Sequence, residues 1–365
     1  MAGKLGIIAL ESAQTAGKDI DRIFSEWRGG EHFLLPAQCP RFGSGEGKGL
    51  IKESVRDRDL YILVDVCNSS VTYTMDGMEN RMSPDDHYQD LKRIIAATNG
   101  KAGRITVVMP FLYESRQHRR NGRESLDCAL MLRELENMGV HDIITFDAHD
   151  PRVQNSIPLS GFEDVSPSLQ FTQALLSEYE DLQIDPKHMM FISPDEGAMQ
   201  RAVFMATLFG VNIGMFYKRR DYATIINGMN PIVAHDFCGE SVEGKDVIVI
   251  DDMISSGGSM IDTATKLKSM GARRVFIFAT FGLFSHGFDK FDEAYKNGIF
   301  DRIFTTNLIH QKPELKEKPW YYSVSMNRYV AAIIDTLNKG NSLQELIRPA
   351  GRIKEMLALY KGSAT

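Results

Sequence analysis

The stretch Val-Ile-Val-Ile-Asp-Asp-Met-Ile-Ser-Ser-Gly-Gly-Ser-Met, residues 247–260, decides how the chain can be interpreted. Its β-branched run predicts a buried strand, with the carboxylates of Asp251 and Asp252 at the carboxyl end. The small residues that follow predict a tight turn whose backbone N–H groups can face an anion. A helix predicted from Ser259, with Asp262 completing a capping box, adds partial positive charge to the turn. A phosphorylated sugar suits such a site, and an ordinary Gly/Ser turn beside two solvated acids is the alternative.

Similar apolar runs recur along the chain and alternate with amphipathic stretches. The strand-like runs lie at 60–66, 104–110, 142–148, 188–194, 212–217, 246–251, 274–281 and 301–306. Helical patterns with an apolar stripe lie between several of them, at 124–139, 196–210 and 259–271. Strands that are apolar throughout are typical of a parallel sheet buried on both faces. The repeated strand–helix–strand pattern therefore predicts an α/β fold.

The alternation weakens over residues 150–170, a polar stretch that contains three prolines. We interpret this stretch as a link between two α/β domains. The predicted domains are residues 1–158 and 159–323, and residues 324–365 are expected to form a C-terminal helical segment.

The composition of the 365 residues excludes several classes of protein. A net charge of −6 gives no electrostatic reason to expect a nucleic acid or an anionic membrane as partner. The four cysteines form no Cys-x-x-Cys pair, so the sequence suggests neither a zinc site nor a disulfide framework. The apolar run near the N-terminus is too short to span a membrane. We therefore predict a cytoplasmic protein.

Six stretches in order resemble the ribose-phosphate diphosphokinases, or PRPP synthetases, whose phosphoribosyl-diphosphate loop is shared with phosphoribosyltransferases. Besides residues 247–260, they are RFGSGEGKGLIKESVRDRDLYIL (41–63), VVMPFLYESRQHRR (107–120), ITFDAHDPRVQNSIPL (144–159), ISPDEGAMQRA (192–202) and FYKRRDY (216–222). The resemblance implies two phosphoribosyltransferase-like domains, each a mostly parallel sheet flanked by helices. The N-terminal domain would bind ATP and make oligomer contacts, and the C-terminal domain would carry the ribose-5-phosphate loop.

The resemblance also implies an activity. The diphosphoryl group of ATP would pass to the C1 hydroxyl of ribose 5-phosphate, giving PRPP and AMP for nucleotide biosynthesis. Mg²⁺ is the implied cofactor, and the implied assembly is a homo-oligomer, either a dimer or a hexamer.

The family's motifs, carried over position by position, imply the site residues. The residues implied to bind ribose 5-phosphate are Asp195, Asp251, Asp252, Ser255, Ser256, Gly257, Gly258 and Ser259. Those implied to bind ATP are Phe42, Glu46, Arg116, Gln117 and His118, of which the first two match a loop that crosses to a neighbouring subunit. The implied Mg²⁺ ligands are His149 and Asp195, and the implied catalytic cations are Lys218 and Arg220.

Several positions depart from the family's pattern. Ser255 stands where the family usually has an aspartate, His118 replaces the acid of its Arg-Gln-Asp motif, and residues 71–81 look like an insertion. These departures keep two rival functions open. One rival is a non-catalytic, regulatory homologue, and the other, less favoured, is a phosphoribosyltransferase that joins PRPP to a base.

Overall fold

The computed structural model describes residues 3–220 and 232–363, with the backbone alone for 218–220, 232–235 and residue 363. The strands are β1 (Leu5–Ala9), β2 (Ala37–Gln38), β3 (Leu50–Ile51), β4 (Asp59–Leu63), β5 (Thr72–Met75), β6 (Met78–Arg81), β7 (Arg104–Val108), β8 (Asp142–Phe146), β9 (Gly161–Val165), β10 (Met189–Ser193), β11 (Asn212–Arg220), β12 (Ile232–Cys238), β13 (Asp246–Ile254), β14 (Arg274–Gly282), β15 (Arg302–Thr306) and β16 (Tyr321–Val324). The helices are α1 (Gln14–Trp27), α2 (Pro84–Ala97), α3 (Asp127–Asn137), α4 (Ser168–Glu178), α5 (Met199–Phe209), α6 (Gly258–Ser269), α7 (Asp289–Lys296), α8 (Pro313–Lys316), α9 (Asn327–Asn338), α10 (Gln344–Ile347) and α11 (Ala350–Ser363). None of these described helices is long and apolar enough to cross a membrane.

Two compact units divide the chain at places that differ from the sequence-based boundaries. The first unit continues to Pro167, beyond the predicted boundary at 158, because β9 adds a strand to the edge of the first sheet. The predicted C-terminal segment, 324–365, does not form a separate segment but is divided between the two units. Its part Ser325–Ile347 belongs to the first unit, where α9 packs on α1, and the rest joins the second unit, where α11 packs on α4 and α5.

The first unit is built on a five-stranded sheet in the order β1-β4-β7-β8-β9, with every neighbouring pair parallel. This order follows the chain and never reverses. All five residues of β4 are buried, which explains why this strand reads as an unbroken apolar run after its first residue. The loops after β7 and β8 leave the sheet from neighbouring strands, so their side chains can meet at its carboxyl edge.

The second unit is built on a seven-stranded sheet in the order β12-β11-β10-β13-β14-β15-β16. Its pairs are parallel except for β11 and β12, which are antiparallel. From β10 the chain adds β11 and then β12 on one side of that strand, and it then returns to add β13 on the other side. The order therefore reverses between β10 and β13, where open α/β sheets bind their ligands, beyond the carboxyl ends of the strands.

Alternate residues of the second sheet fill two separate apolar cores. Phe191 and Ile248 belong to one core, and Ile192 and Val249 belong to the other. Successive side chains of a strand point to opposite faces, so this division means that helices cover both faces of the sheet. The stretches of β10 and β13 that face these cores therefore carry apolar side chains.

A buried aspartate at the amino end of each sheet is held by arginine. Asp59 accepts hydrogen bonds from Arg104 at 2.7 and 2.8 Å. Asp246 accepts from Arg273 at 2.8 Å and from Arg274 at 2.7 Å. Burial alone would raise the pKa of Asp246, but the bonds from the two guanidinium groups hold that pKa below its usual range. These pairs join neighbouring strands at their first residues.

We predict that Asp246→Asn destabilises the second unit. The amide keeps the shape of the side chain but removes the buried carboxylate from Arg273 and, among the described residues, leaves Arg274 with only the exposed Asp181. Breaking a buried pair in this way costs about 3–5 kcal/mol. Asp181→Asn is the matched control, because Asp181 also bonds Arg274 but its side chain is 65% exposed. Its loss should cost about 0–1 kcal/mol. Urea unfolding followed by circular dichroism measures both, and equal midpoints for the two variants would contradict the prediction.

Candidate active site

Three carboxylates meet where the strand order of the second sheet reverses. Asp195 follows β10 by two residues, and Asp251 and Asp252 lie on the neighbouring strand β13. The acids are inside β13 rather than just after it, because the strand continues until Ile254 pairs with Gly282 of β14. The predicted strand end at residue 251 was therefore three residues short.

The charges of this group act on one another. Burial raises the pKa of Asp251 well above its ordinary value, and the negative charges of Asp252 and Asp195 raise it further. The guanidinium of Arg201 opposes the shift and lies 3.9 Å from an Oδ of Asp252. A cation or the hydroxyl groups of a sugar would relieve this concentration of negative charge.

The turn after β13 is fixed at both of its ends. The carbonyls of Ile254 and Ser255 accept hydrogen bonds from the N–H groups of Leu283 at 2.9 Å and Ser285 at 3.0 Å. Gly257 caps the helix α6 in a left-handed conformation with φ of 84°. The predicted capping box from Ser259 to Asp262 was wrong, because the helix already begins at Gly258 and its cap carries no side chain.

Only glycine fits the capping position. A Cβ on Gly257 would overlap the buried ring of Phe291, whereas a Cβ on Gly258 would meet nothing within 4 Å. The first N–H groups of any α-helix have no acceptor within that helix, and its N-terminus favours negative charge. The turn and α6 thus present the donors that the sequence predicted for a phosphate.

A second group of predicted residues lies at the carboxyl edge of the first sheet, after β7 and β8. The rings of His118 and His149 have centroids 5.3 Å apart, although the sequence assigned them to different ligands. His118 Nε2 lies 3.6 Å from an Oδ of Asp150. Hydrogen bonds from Arg152 lower the pKa of Asp150 to about 2, so this acid carries its charge beside His118.

The other two residues of the Arg-Gln-His run differ in their surroundings. Arg116 is exposed, so its guanidinium is within reach of a ligand from solution. The amide of Gln117 donates to the carbonyl of Ser125 at 2.9 Å, so it holds its own loop in place. We therefore expect Gln117 to position this loop in addition to any contact with ATP.

Phe42 and Glu46 lie on one exposed loop of the first unit. The N–H of Phe42 donates to the carbonyl of Glu46 at 2.7 Å, which closes the loop. Phe42 is 54% exposed. The catalytic candidates Lys218 and Arg220 belong to β11 by their backbone, and their side chains lie outside the described part of the chain.

Magnesium fits the donors that are present. Within 3–220 and 232–363, no three His, Cys, Asp or Glu side chains are arranged to hold a metal ion. Mg²⁺ is commonly held by one or two carboxylates together with waters and substrate phosphates. On the second unit, the crowded carboxylates around Asp195 suit such an ion better than a metal that needs a full set of protein ligands. On the first unit, the implied ligand His149 is exposed.

Comparison with known proteins gives the family. A model described as the N-terminal domain of ribose phosphate pyrophosphokinase matches residues 5–139, and a phosphoribosyl transferase domain model matches residues 164–318. The chain is 30% identical over 318 residues to the ribose-phosphate pyrophosphokinase of Vibrio parahaemolyticus. The aligned residues cover 86% of this chain and 91% of that protein. It is 28% identical over 335 residues to that of Shewanella oneidensis, covering 91% of this chain and 94% of the relative.

The chain belongs to the ribose-phosphate pyrophosphokinase family. A crystal structure of phosphoribosylpyrophosphate synthetase from Mycobacterium smegmatis has the same fold, with a TM-score of 0.74 at 22% identity, and covers 93% of this chain and 100% of that one. The sequence-based predictions of this pyrophosphokinase family, of a mostly parallel α/β fold and of an enzyme are confirmed. The roles of single residues stay predictions.

Sequence reasoning did not name two residues that the pyrophosphokinase fold places among the candidates. Arg201 lies on the first turns of α5, where its guanidinium contacts the Gly197 carbonyl at 3.4 Å and approaches Asp252. The signal was available, because Arg201 is the arginine of the quoted ISPDEGAMQRA stretch. Asp150 also lies in a quoted stretch, 144–159, but its contact with His118 joins two loops and leaves no local pattern in the sequence.

We predict that Gly257→Ala damages the turn after β13. The left-handed backbone and the overlap with Phe291 should together cost about 2–4 kcal/mol of unfolding free energy. The displaced loop should also weaken ribose 5-phosphate binding by about 10-fold or more. Gly258→Ala is the control for stability, because its Cβ enters open space. Thermal unfolding and calorimetric titration measure the two effects, and equal melting temperatures for the two variants would refute the steric argument.

Proposed function

We propose that this chain transfers the diphosphoryl group of ATP to the C1 hydroxyl of ribose 5-phosphate and releases PRPP and AMP. The observation that carries the proposal is the pairing of the Asp251–Asp252 carboxylates with the phosphate-type turn at the reversal of strand order. A sugar phosphate needs acceptors for its hydroxyl groups and donors for its phosphate, and this edge supplies both. Family membership supports the same reaction.

Ribose 5-phosphate is proposed to bind on the second unit. The carboxylates of Asp195, Asp251 and Asp252 would accept hydrogen bonds from the ribose hydroxyls and so orient the sugar. The 5-phosphate would be held by backbone N–H groups and hydroxyls of the turn, which comprises Ser255, Ser256, Gly257, Gly258 and Ser259. Ser255 can donate to a phosphate oxygen, which an aspartate at this position could not do when ionised.

ATP is proposed to bind residues of the first unit. Arg116 would pair with phosphate oxygens, since a guanidinium recognises phosphate through two parallel N–H bonds. Gln117 and His118 belong to the same loop, and Phe42 and Glu46 would contact the adenine of ATP bound by a neighbouring subunit. This sharing requires a homo-oligomer, a dimer or a hexamer, which we propose as the functional assembly.

His149 of the first unit and Asp195 of the second are each proposed as ligands for Mg²⁺. When bound, the ion neutralises negative charge on the phosphate oxygens of ATP. The C1 hydroxyl oxygen forms a bond to the β-phosphorus, and the bond from that phosphorus to the oxygen of the α-phosphate breaks, so that AMP leaves. The hydroxyl loses its proton to water in the same reaction, so that atoms and charge balance. The protein's part is mainly to place the two substrates in line and to stabilise the developing charge.

Lys218 and Arg220 are proposed to stabilise that charge. Each variant, Lys218→Ala and Arg220→Ala, should lower turnover by about 10²-fold or more, the usual effect of removing one preorganised donor. Affinity for ribose 5-phosphate should change little, since both positions lie on β11 and outside the sugar loop. A coupled assay of AMP release from ATP and ribose 5-phosphate measures turnover, and calorimetry measures affinity.

The same assay decides between the proposed functions. A wild-type chain that binds ribose 5-phosphate but releases no AMP would be a non-catalytic homologue. A chain that consumes PRPP only when a base is added would be a phosphoribosyltransferase. Near-normal turnover in both alanine variants would refute the catalytic role of these two residues while leaving the reaction itself standing.

A further inference from the structure

The strands β5 and β6 form a hairpin of their own within the first unit. They pair antiparallel, with Tyr73 opposite Asn80, in a two-stranded sheet separate from the main one. Asp76 and Gly77 form the turn with φ of 52° and 77°, as a two-residue hairpin turn of type I′ requires. A lone two-stranded hairpin is marginally stable in water, so its order must come from what it packs against.

The hairpin packs against the loop that carries Phe42 and Glu46. At its turn, the N–H of Asp76 donates to the carbonyl of Gly43 at 3.0 Å. Beside that bond, Met75 packs closely on Gly45. A Cβ added to Gly45 would lie 2.7 Å from the sulfur of Met75.

One face of β5 makes this contact. Tyr73 and Met75 are partly buried, whereas Thr72 and Thr74, which point the other way, are exposed. The guanidinium of Arg41, at the base of the loop, lies 5.2 Å from the centre of the Tyr73 ring. A cation at this distance from an aromatic face is attracted to it. The period-two pattern therefore separates a contact face from a solvent face on the same strand.

Helix α2 holds the base of the loop from another side. Arg41 donates to both oxygens of Asp90, at 2.6 and 3.0 Å, and Arg93 donates to the same carboxylate at 2.7 Å. The side chains of Arg41 and Asp90 are 8% and 9% exposed. A two-bond pair in this setting fixes the direction as well as the position of the guanidinium. Arg41 is thus fixed by Asp90 and covered by Tyr73.

The tip of the loop is exposed while its base is held. The carbonyl of Phe42 accepts from the N–H of Gly45 at 2.9 Å, and the Ser44 hydroxyl donates to Glu46 at 3.0 Å. Phe42 nevertheless remains more than half exposed. An exposed aromatic ring on a preorganised loop loses less conformational freedom when a flat ligand stacks on it.

We propose that the β5–β6 hairpin is a positioning element for ATP binding. By packing Tyr73 and Met75 against residues 41–47, it holds Phe42 and Glu46 ready for the adenine and lowers the KM for ATP. This inference rests on the proposed function, which assigns the loop to ATP. Tyr73 is a positioning residue in this scheme, because it acts through Arg41 and the loop.

Steady-state kinetics with paired variants tests the proposal. Tyr73→Ala removes the ring over Arg41, and the KM for ATP should rise about 5-fold, the size expected for one cation–π contact. Tyr73→Phe keeps the ring and should behave as wild type. Thr74→Ala, on the solvent face of the same strand, is the matched control. In all three variants, the KM for ribose 5-phosphate and the turnover number should stay within about 2-fold of wild type. The melting temperature should stay within about a few degrees.

A shortened chain gives a stronger test. The N–H of Met82 donates to the carbonyl of Val71 at 2.9 Å, so the two ends of the hairpin are adjacent. Residues 72–81 can therefore be replaced by Asn-Gly without stretching the backbone. The KM for ATP should then rise about 10-fold or more, because the loop loses one of its two supports. An unchanged KM for ATP in this folded variant would overturn the proposal, and so would an equal rise in both KM values.

Amide hydrogen exchange decides the matter without relying on turnover. The N–H groups of Phe42 and Gly45 close the loop, so their exchange should accelerate about 10-fold in Tyr73→Ala and stay unchanged in Thr74→Ala. If the wild type makes no PRPP, the proposed function fails, and exchange alone then decides whether the hairpin orders the loop. Equal exchange rates in Tyr73→Ala and wild type would refute the positioning role.

Discussion

The burial of the second sheet on both faces is the constraint from which the candidate site follows. Because residues 247–250 of β13 and their neighbours on β10 alternate between two apolar cores, a charge among them would have to leave water without a partner. The charged side chains of β13 therefore lie before and after this apolar stretch. At the amino end, Asp246 is neutralised by two arginines and serves stability. Toward the carboxyl end, three carboxylates lie close together, and their charges raise the pKa of Asp251 beyond the effect of burial. Ion pairs at the amino end of the sheet therefore stabilise the fold, whereas the candidate site lies toward its carboxyl end.

The reversal of strand order explains why the carboxylates meet at this place. Asp195 and Asp251 are far apart in sequence, yet β10 and β13 are paired parallel neighbours, so both acids lie toward the same edge of the sheet. The helix that starts at the end of the turn adds donors to the acceptors. The first sheet has no reversal, and its candidates come from adjacent loops instead. His118 and His149 meet because β7 and β8 are neighbours.

Much of the fold could be predicted because buried parallel strands leave a plain signal. Every strand predicted from an apolar run is present, and so is the turn after β13. Features that depend on backbone conformation or on distant partners could not be predicted. Because Gly257 adopts a positive φ and caps α6, the helix begins before the expected capping box. Because Ile254 pairs with Gly282, β13 continues beyond Asp251 and Asp252. The Asp-Gly turn of the β5–β6 hairpin was visible in the sequence, but its partner on residues 41–47 was not.

A crystal structure of the chain with ribose 5-phosphate tests the central claim most directly. We expect the phosphate within hydrogen-bond distance of the backbone N–H groups between Ser256 and Met260. The ribose hydroxyls should lie against Asp251 and Asp252. A sugar phosphate bound elsewhere, with the turn after β13 left to solvent, would contradict the account.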